Sequence, residues 1–232
     1  SNNSAFGESA LRENTTGANN VAVGANALDA NTTGDDNVAI GRDALTACNA
    51  SDNVAVGNYA LDACTTGSSN AAVGRHALGA VTTGAYNVAV GGLAGDAITT
   101  GEGNVSIGRQ SLSDNTTSSY NTAVGYLTLK SNTAGNNTAV GYNAMFANTT
   151  GSGNVAVGYA ALDANTTASN NTALGYDALT ANTTGDNVAV GYAALDANTT
   201  GTRNVGLGDN ALGATTTGSQ NTAVGGNNMQ AN

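Results

Sequence analysis

Apolar and polar positions recur along this chain as one phrase of about seventeen residues, of which Asn187 to Arg203, NVAVGYAALDANTTGTR, is a full copy. The glycine ending the NVAVG segment falls at Gly7, Gly24, Gly41, Gly57, Gly74, Gly91, Gly108, Gly125, Gly141, Gly158, Gly175, Gly191, Gly208 and Gly225, in steps of 17 with 16 at three places. A unit this short cannot bury a core alone and must stack on its neighbours, so each unit reads as one coil of a solenoid. The pattern predicts an all-β fold, a parallel β-solenoid or β-roll of 13–14 coils over residues 1–232. At ~4.8 Å per coil such a stack would be roughly 65 Å long.

Each coil opens on Asn, then Val or Thr, then Ala, then Val, Ile or Leu, then Gly. Strand periodicity sets the second and fourth positions on one face and the Ala on the other. The always-large fourth position (Val23, Ile40, Val56 and onward to Val224) is expected to face the coil interior. The Ala face accepts no Lys, Glu or Thr in any copy, which predicts a second subunit packed there, with Ala139, Ala156, Ala173 and Ala189 in the contact. The opening Asn, including Asn137, Asn154, Asn171 and Asn187, is expected to form a hydrogen-bonded ladder from coil to coil.

The next phrase, Ala-Leu, supplies an inward file that Met145 and Met229 complete; four or five residues between glycines are too few for a helix, so a short strand or turn is expected. The NTTG phrase closes the coil in a turn whose glycine can take positive φ. Its Asn gives way to Cys48, Cys64, Val81 and Ile98 on four successive coils, which places that column inward. The one-residue deletions fall in the loops before Asn53, Asn137 and Asn187, where length changes are absorbed most easily.

Composition narrows the function classes. Net charge is −10, with five Arg and one Lys, so the basic footprint needed for nucleic acid or an anionic membrane is missing. No run approaches the ~18 apolar residues of a membrane helix, so no membrane insertion is expected. The sequence opens at Ser1 and closes at Asn232 within repeats and without polar capping coils, which reads as a fragment of a longer fibrous protein.

The NVAVG, NVAIG and NTAVG phrases, in a Gly- and Ala-rich chain, resemble the head repeats of trimeric autotransporter adhesins. With Ala-Leu and NTTG following, they are closer still to the shaft repeats of bacteriophage tail fibres. The likeness covers essentially the whole chain, although its 17-residue unit is longer than the usual adhesin head unit. It implies a left-handed parallel β-roll, a homotrimer, and a place outside the cell on a virion tail fibre or a bacterial surface.

Candidate chemistry is sparse, and no enzyme activity, metal or cofactor is expected. His76 stands alone, and Asp29, Asp62, Asp96, Asp163 and Asp196 form one column that reads as solvated edge charge. Gly206, Gly208 and Ala211 spell G-x-G-x-x-A without a following helix, which carries no nucleotide reading. Cys48 and Cys64, one coil apart, are close enough for a disulfide but read first as apolar filler. The column after the strand glycine diverges most: Arg42, Arg75 and Arg109, then Tyr126, Tyr142, Tyr159, Tyr176 and Tyr192. It reads either as a structural edge ladder or as a surface-binding strip for an extended acidic glycan.

Two functions of different classes follow. The first is a structural and adhesive fibre module that supports attachment to a host or surface, with a cell-surface glycan as partner. The second is an ice-binding solenoid using the Thr columns Thr15, Thr32, Thr65, Thr82, Thr99 to Thr216 and Thr16, Thr33, Thr66 to Thr217, of which only one file is expected to face outward.

Overall fold

A computed structural model describes residues 2–227. The chain divides into two compact units, Ser1–Tyr120 and Asn121–Asn232. The first carries β1 (Ser4–Phe6), β2 (Val21–Val23), β3 (Val38–Ile40), β4 (Val54–Val56), β5 (Ala71–Val73), β6 (Val88–Val90) and β7 (Val105–Ile107). The second carries β8 (Thr122–Val124), β9 (Thr138–Val140), β10 (Val155–Val157), β11 (Thr172–Leu174), β12 (Val188–Val190), β13 (Val205–Leu207) and β14 (Thr222–Val224). Within each unit every strand pairs in parallel with the next one in sequence. The register sets equivalent repeat positions side by side, as in Ala22 with Ala39 and Ala156 with Ala173. The described residues contain no helix, and the fold is the parallel β-solenoid that the repeat predicts.

Turns, not strands, make up most of each coil. The Ala27 N–H donates to Gly24 O at 3.3 Å and the Asn31 N–H to Leu28 O at 3.3 Å, so two β-turns follow each strand back to back. The leucine between them is left-handed in nearly every coil, with φ of 53° at Leu28, 52° at Leu61 and 56° at Leu162. That conformation costs an L-residue about 1–2 kcal/mol. Full burial of a leucine contributes about 1.5–3 kcal/mol, which outweighs the cost. These leucines are fully buried. Met229, assigned to the same file by sequence, lies outside the described residues.

The strand faces are the reverse of the sequence expectation. Ala139, Ala156, Ala173 and Ala189 are completely buried within their own chain, whereas Val157 is 38% exposed and Ile40 39%. The reason is the width of the coil. At Gly206, which occupies the alanine position of its strand, an added Cβ would lie 3.3 Å from Leu195 Cγ and 3.0 Å from Ala211 O. One methyl fills that gap and a valine does not, so the small residue goes inside and the two large ones go out. The alanine file is therefore core, and the subunit contact assigned to it is withdrawn.

The asparagines hold the coils together by two routes. The Asn154 N–H donates to Asn137 Oδ1 at 3.0 Å, the Asn171 N–H to Asn154 Oδ1 at 2.9 Å and the Asn187 N–H to Asn171 Oδ1 at 3.0 Å. Asn154 Nδ2 donates to the turn carbonyl of Ala168 in its own coil, at 2.9 Å. The strand-leading file is thus a ladder, but chiefly of side chain to backbone. The second file, before Thr-Thr, carries the amide-to-amide ladder: Asn148 Nδ2 to Asn132 Oδ1 at 2.7 Å and Asn165 Nδ2 to Asn148 Oδ1 at 2.8 Å.

The NTTG glycines act through space rather than through φ. A Cβ on Gly151 would lie 2.2 Å from Ala168 O of the next coil. In the shortened coil before Asn53, Ala50 takes the glycine's place, its carbonyl accepting from Asn37 Nδ2 at 2.8 Å.

Candidate functional site: the outer columns

The outward columns are the one place where the repeats carry different chemistry. In the second unit Tyr126, Tyr142, Tyr159, Tyr176 and Tyr192 occupy the position after the strand glycine, where neighbouring coils are in register. Their rings stack in succession at centroid distances of 5.7, 5.2, 4.9 and 5.4 Å. The middle pairs are nearly parallel, at 6° and 8°. A stacked ring has its faces covered by its neighbours, so a ligand meets the ring edges and the hydroxyls and not a row of open faces. Asp177 beside Tyr176 pushes its phenol above the ordinary tyrosine value, with slight desolvation adding to the effect.

The three arginines of the same column lie in the first unit, and two of them turn to neighbours in their own chain. Arg42 Nε approaches Asp43 at 3.4 Å, and its guanidinium lies 4.8 Å from the centroid of Tyr59, whose hydroxyl it also contacts. Arg109 Nη1 donates to Gln110 Oε1 at 3.1 Å. Tyr59 in turn stacks on His76 at 4.8 Å and 5°. Arg42, Tyr59 and His76 thus form a planar stack that the sequence reading missed, because Tyr59 and His76 sit one place after the column inspected. Both belong to the left-handed position of the turn, with φ of 60° and 55°.

Arg75 and His76 border a cavity of about 350 Å³, together with Asp62, Gly79, Leu93 and Asp96. A second cavity, of about 240 Å³, is lined by Asp196, Asn210, Gly213 and Ala214. Partial burial raises the carboxyls of Asp62 and Asp196 above the usual carboxylate value. Among the described residues no group of three or more His, Cys, Asp or Glu side chains is placed to hold a metal ion.

Cys48 and Cys64 are buried free thiols with sulfurs 2.7 Å apart. The hydrogen bond to Cys48 and burial push the Cys64 thiol far above its usual value, which suits filler in the asparagine column. The outer turn also departs from expectation. Both threonine files face outward, Thr32 half-buried and Thr33 exposed, with Thr82 and Thr83 alike. The first file is partly engaged, since Thr65 Oγ1 donates to Thr82 O at 3.0 Å and Thr149 Oγ1 to Thr166 O at 2.9 Å.

The chain matches no protein-family model, no curated protein and no solved structure.

Proposed function

We propose that this chain is a structural and adhesive module of an extracellular fibre, on a virion tail or a bacterial surface, that works as a homotrimer. The observation that carries the reading is the outer strand face. No Lys, Arg, Asp or Glu occurs at either outward position of the fourteen strands. In the first unit Val23, Ile40, Val73, Val88, Val90 and Ile107 are all more than a third exposed. Parallel sheets are ordinarily covered on both faces, and a contiguous apolar surface of this kind marks an association site. Identical copies suit it best, because their repeats match coil for coil. The number three and the fibre assignment rest on the resemblance of the NTAVG, Ala-Leu and NTTG phrases to tail-fibre and adhesin repeats. The tyrosine ladder, whose rings are 39% to 56% exposed, would then present hydroxyls and edges to a cell-surface glycan.

The test is mass in solution by light scattering, for the wild-type chain and for Val90→Lys with Val157→Lys. A trimer that the double variant converts to folded monomers is expected. A wild-type chain that stays monomeric at micromolar concentration overturns the reading.

A second reading, ice binding, gains from the two outward threonine files, since a regular hydroxyl array is what an ice surface would meet. The carbonyl bonds of the first file count against it. Thermal hysteresis at low protein concentration would rank it first.

A further inference from the structure

The two cavities on the outer columns are one device made twice. The column after the buried leucine carries Asp29, Asp62, Asp96, Asp163 and Asp196, but drops to glycine at Gly79 and Gly213, each time one coil after an aspartate. At Gly79 an added Cβ would lie 3.3 Å from Asp62 Oδ1, 3.3 Å from His76 O and 3.6 Å from Tyr59 O. At Gly213 it would lie 3.3 Å from Asp196 Oδ1, 3.2 Å from Asn210 O and 3.7 Å from Ala193 O. These are equivalent atoms in two different units. In both, a missing side chain leaves a notch with a carboxylate on one wall and turn carbonyl oxygens on another.

We propose that each notch holds one pyranose unit of a glycan, with Asp62 or Asp196 accepting hydrogen bonds from a vicinal pair of sugar hydroxyls. Three features carry this. The first cavity, about 350 Å³, lies at the lower end of the roughly 300–1,000 Å³ typical of small-molecule sites and the second, about 240 Å³, just below it, which limits each to a single ring. The lining is polar and of mixed type: a carboxylate acceptor, then Arg75 and His76 in the first notch or the Asn210 amide in the second. A polyol needs both donors and acceptors. Both aspartates are also partly withdrawn from water, so a hydroxyl donor restores what burial removes. Leu93 in the first notch and Ala214 in the second supply a short apolar patch for the ring carbons.

The inference deepens the attachment reading and rests on it, adding single-sugar sites to the hydroxyls and ring edges that the tyrosine ladder presents. Associated copies of the chain would present each notch several times, so a polymer is held by avidity even though each single contact is weak.

The experiment is saturation-transfer NMR on the full chain with methyl β-glucopyranoside, methyl β-galactopyranoside and methyl α-mannopyranoside as probes. It uses Gly79→Thr, Gly213→Thr and the double variant. Neither glycine needs positive φ, and threonine already stands at this position one coil after an aspartate, at Thr46 and Thr180, so both variants keep the coil and fill the notch. Expected is transfer to at least one glycoside, reduced about twofold in each single variant and lost in the double. No transfer to any of the three glycosides, or transfer undiminished in the double variant, overturns the notch proposal. Cell-surface binding and trimer mass, measured on the same samples, report on the attachment reading separately: their persistence without glycoside binding refutes the notches alone.

Discussion

The placement of alanine inside and valine outside can be tested by exchanging sizes at two adjacent residues of β10. Ala156 is fully buried against the leucine file, whereas Val157 is 38% exposed. Ala156→Val adds two methyl groups where Gly206 shows neighbouring atoms at 3.0 to 3.4 Å from the Cβ position. Overpacking of this kind costs about 1–3 kcal/mol. For a chain of this length each kcal/mol lowers the melting temperature by roughly 2–4 °C, so a fall of several degrees is expected. Val157→Thr keeps the side-chain volume and turns a hydroxyl toward solvent, which within one chain costs no more than about 0.5 kcal/mol. If the valine face also joins copies, Val157→Thr lowers stability in a concentration-dependent way, as loss of association does. The Ala156→Val loss does not depend on concentration. Thermal unfolding followed by circular dichroism, over a hundredfold range of protein concentration, separates the two. An Ala156→Val variant that melts with the wild type would refute the assignment of the faces.

Three further outcomes are expected. Gly158 has φ of 143°, and a Cβ there would sit 2.2 Å from Gly175 O; Gly158→Ala should therefore cost at least about 3 kcal/mol in urea unfolding, from strained backbone plus separation of the coils. Asn154→Ala strips partners from the buried Asn171 N–H and Ala168 O, each orphaned group costing about 1–3 kcal/mol, whereas Asn154→Asp, which keeps the acceptor but sets a buried carboxylate oxygen against Ala168 O, should lose at least as much near neutral pH and less in acid, where the protonated carboxyl can donate to that carbonyl. Asp62, Asp163, Asp177 and Asp196 all have carboxyls raised above their ordinary value, chiefly by desolvation. A raised carboxyl binds its proton more tightly folded than unfolded, so stability should rise as pH falls from neutral through that raised range and level off below the unfolded value. In Asp163→Asn that slope should be shallower, read as melting temperature against pH.

The coil and its register were legible because they depend on period, and fourteen glycines at steps of 16 or 17 leave one way to stack. The inward leucine file and the buried column of Cys48, Cys64, Val81 and Ile98 were legible for a similar reason, since only an interior position exchanges Asn for Cys or Val. The strand faces were not. Alternation shows that Val and Ala lie on opposite sides but not which side is in, and the usual rule that large apolar residues go inside fails where the interior is one methyl wide. The notches were hidden because Gly79 and Gly213 lie in a variable column, where a missing side chain looks like ordinary drift until its neighbours are placed around it.

Reading one column at a time also conceals how the columns depend on each other. Where the second asparagine file is interrupted by Cys64, Val81 and Ile98, the strand-leading amides turn to one another. Asn70 Nδ2 then donates to Asn53 Oδ1 at 3.3 Å, Asn87 Nδ2 to Asn70 Oδ1 at 3.1 Å and Asn104 Nδ2 to Asn87 Oδ1 at 3.1 Å. Where the leucine file is interrupted by Gly95, Ile98 of the same coil fills the space: its Cδ1 lies 3.0 Å, and Leu78 Cδ2 3.1 Å, from where a Cβ would be. Both departures are thus matched by a second one nearby, which keeps the core filled. Gly79 and Gly213 differ from these cases. Both face outward, and among the described residues the side-chain atom nearest the missing Cβ is a carboxylate oxygen of the preceding coil, at 3.3 Å, with a cavity beside it. A loss at the surface bordered by a carboxylate, in a lattice that fills its interior losses with apolar atoms, is what separates a binding notch from ordinary repeat variation.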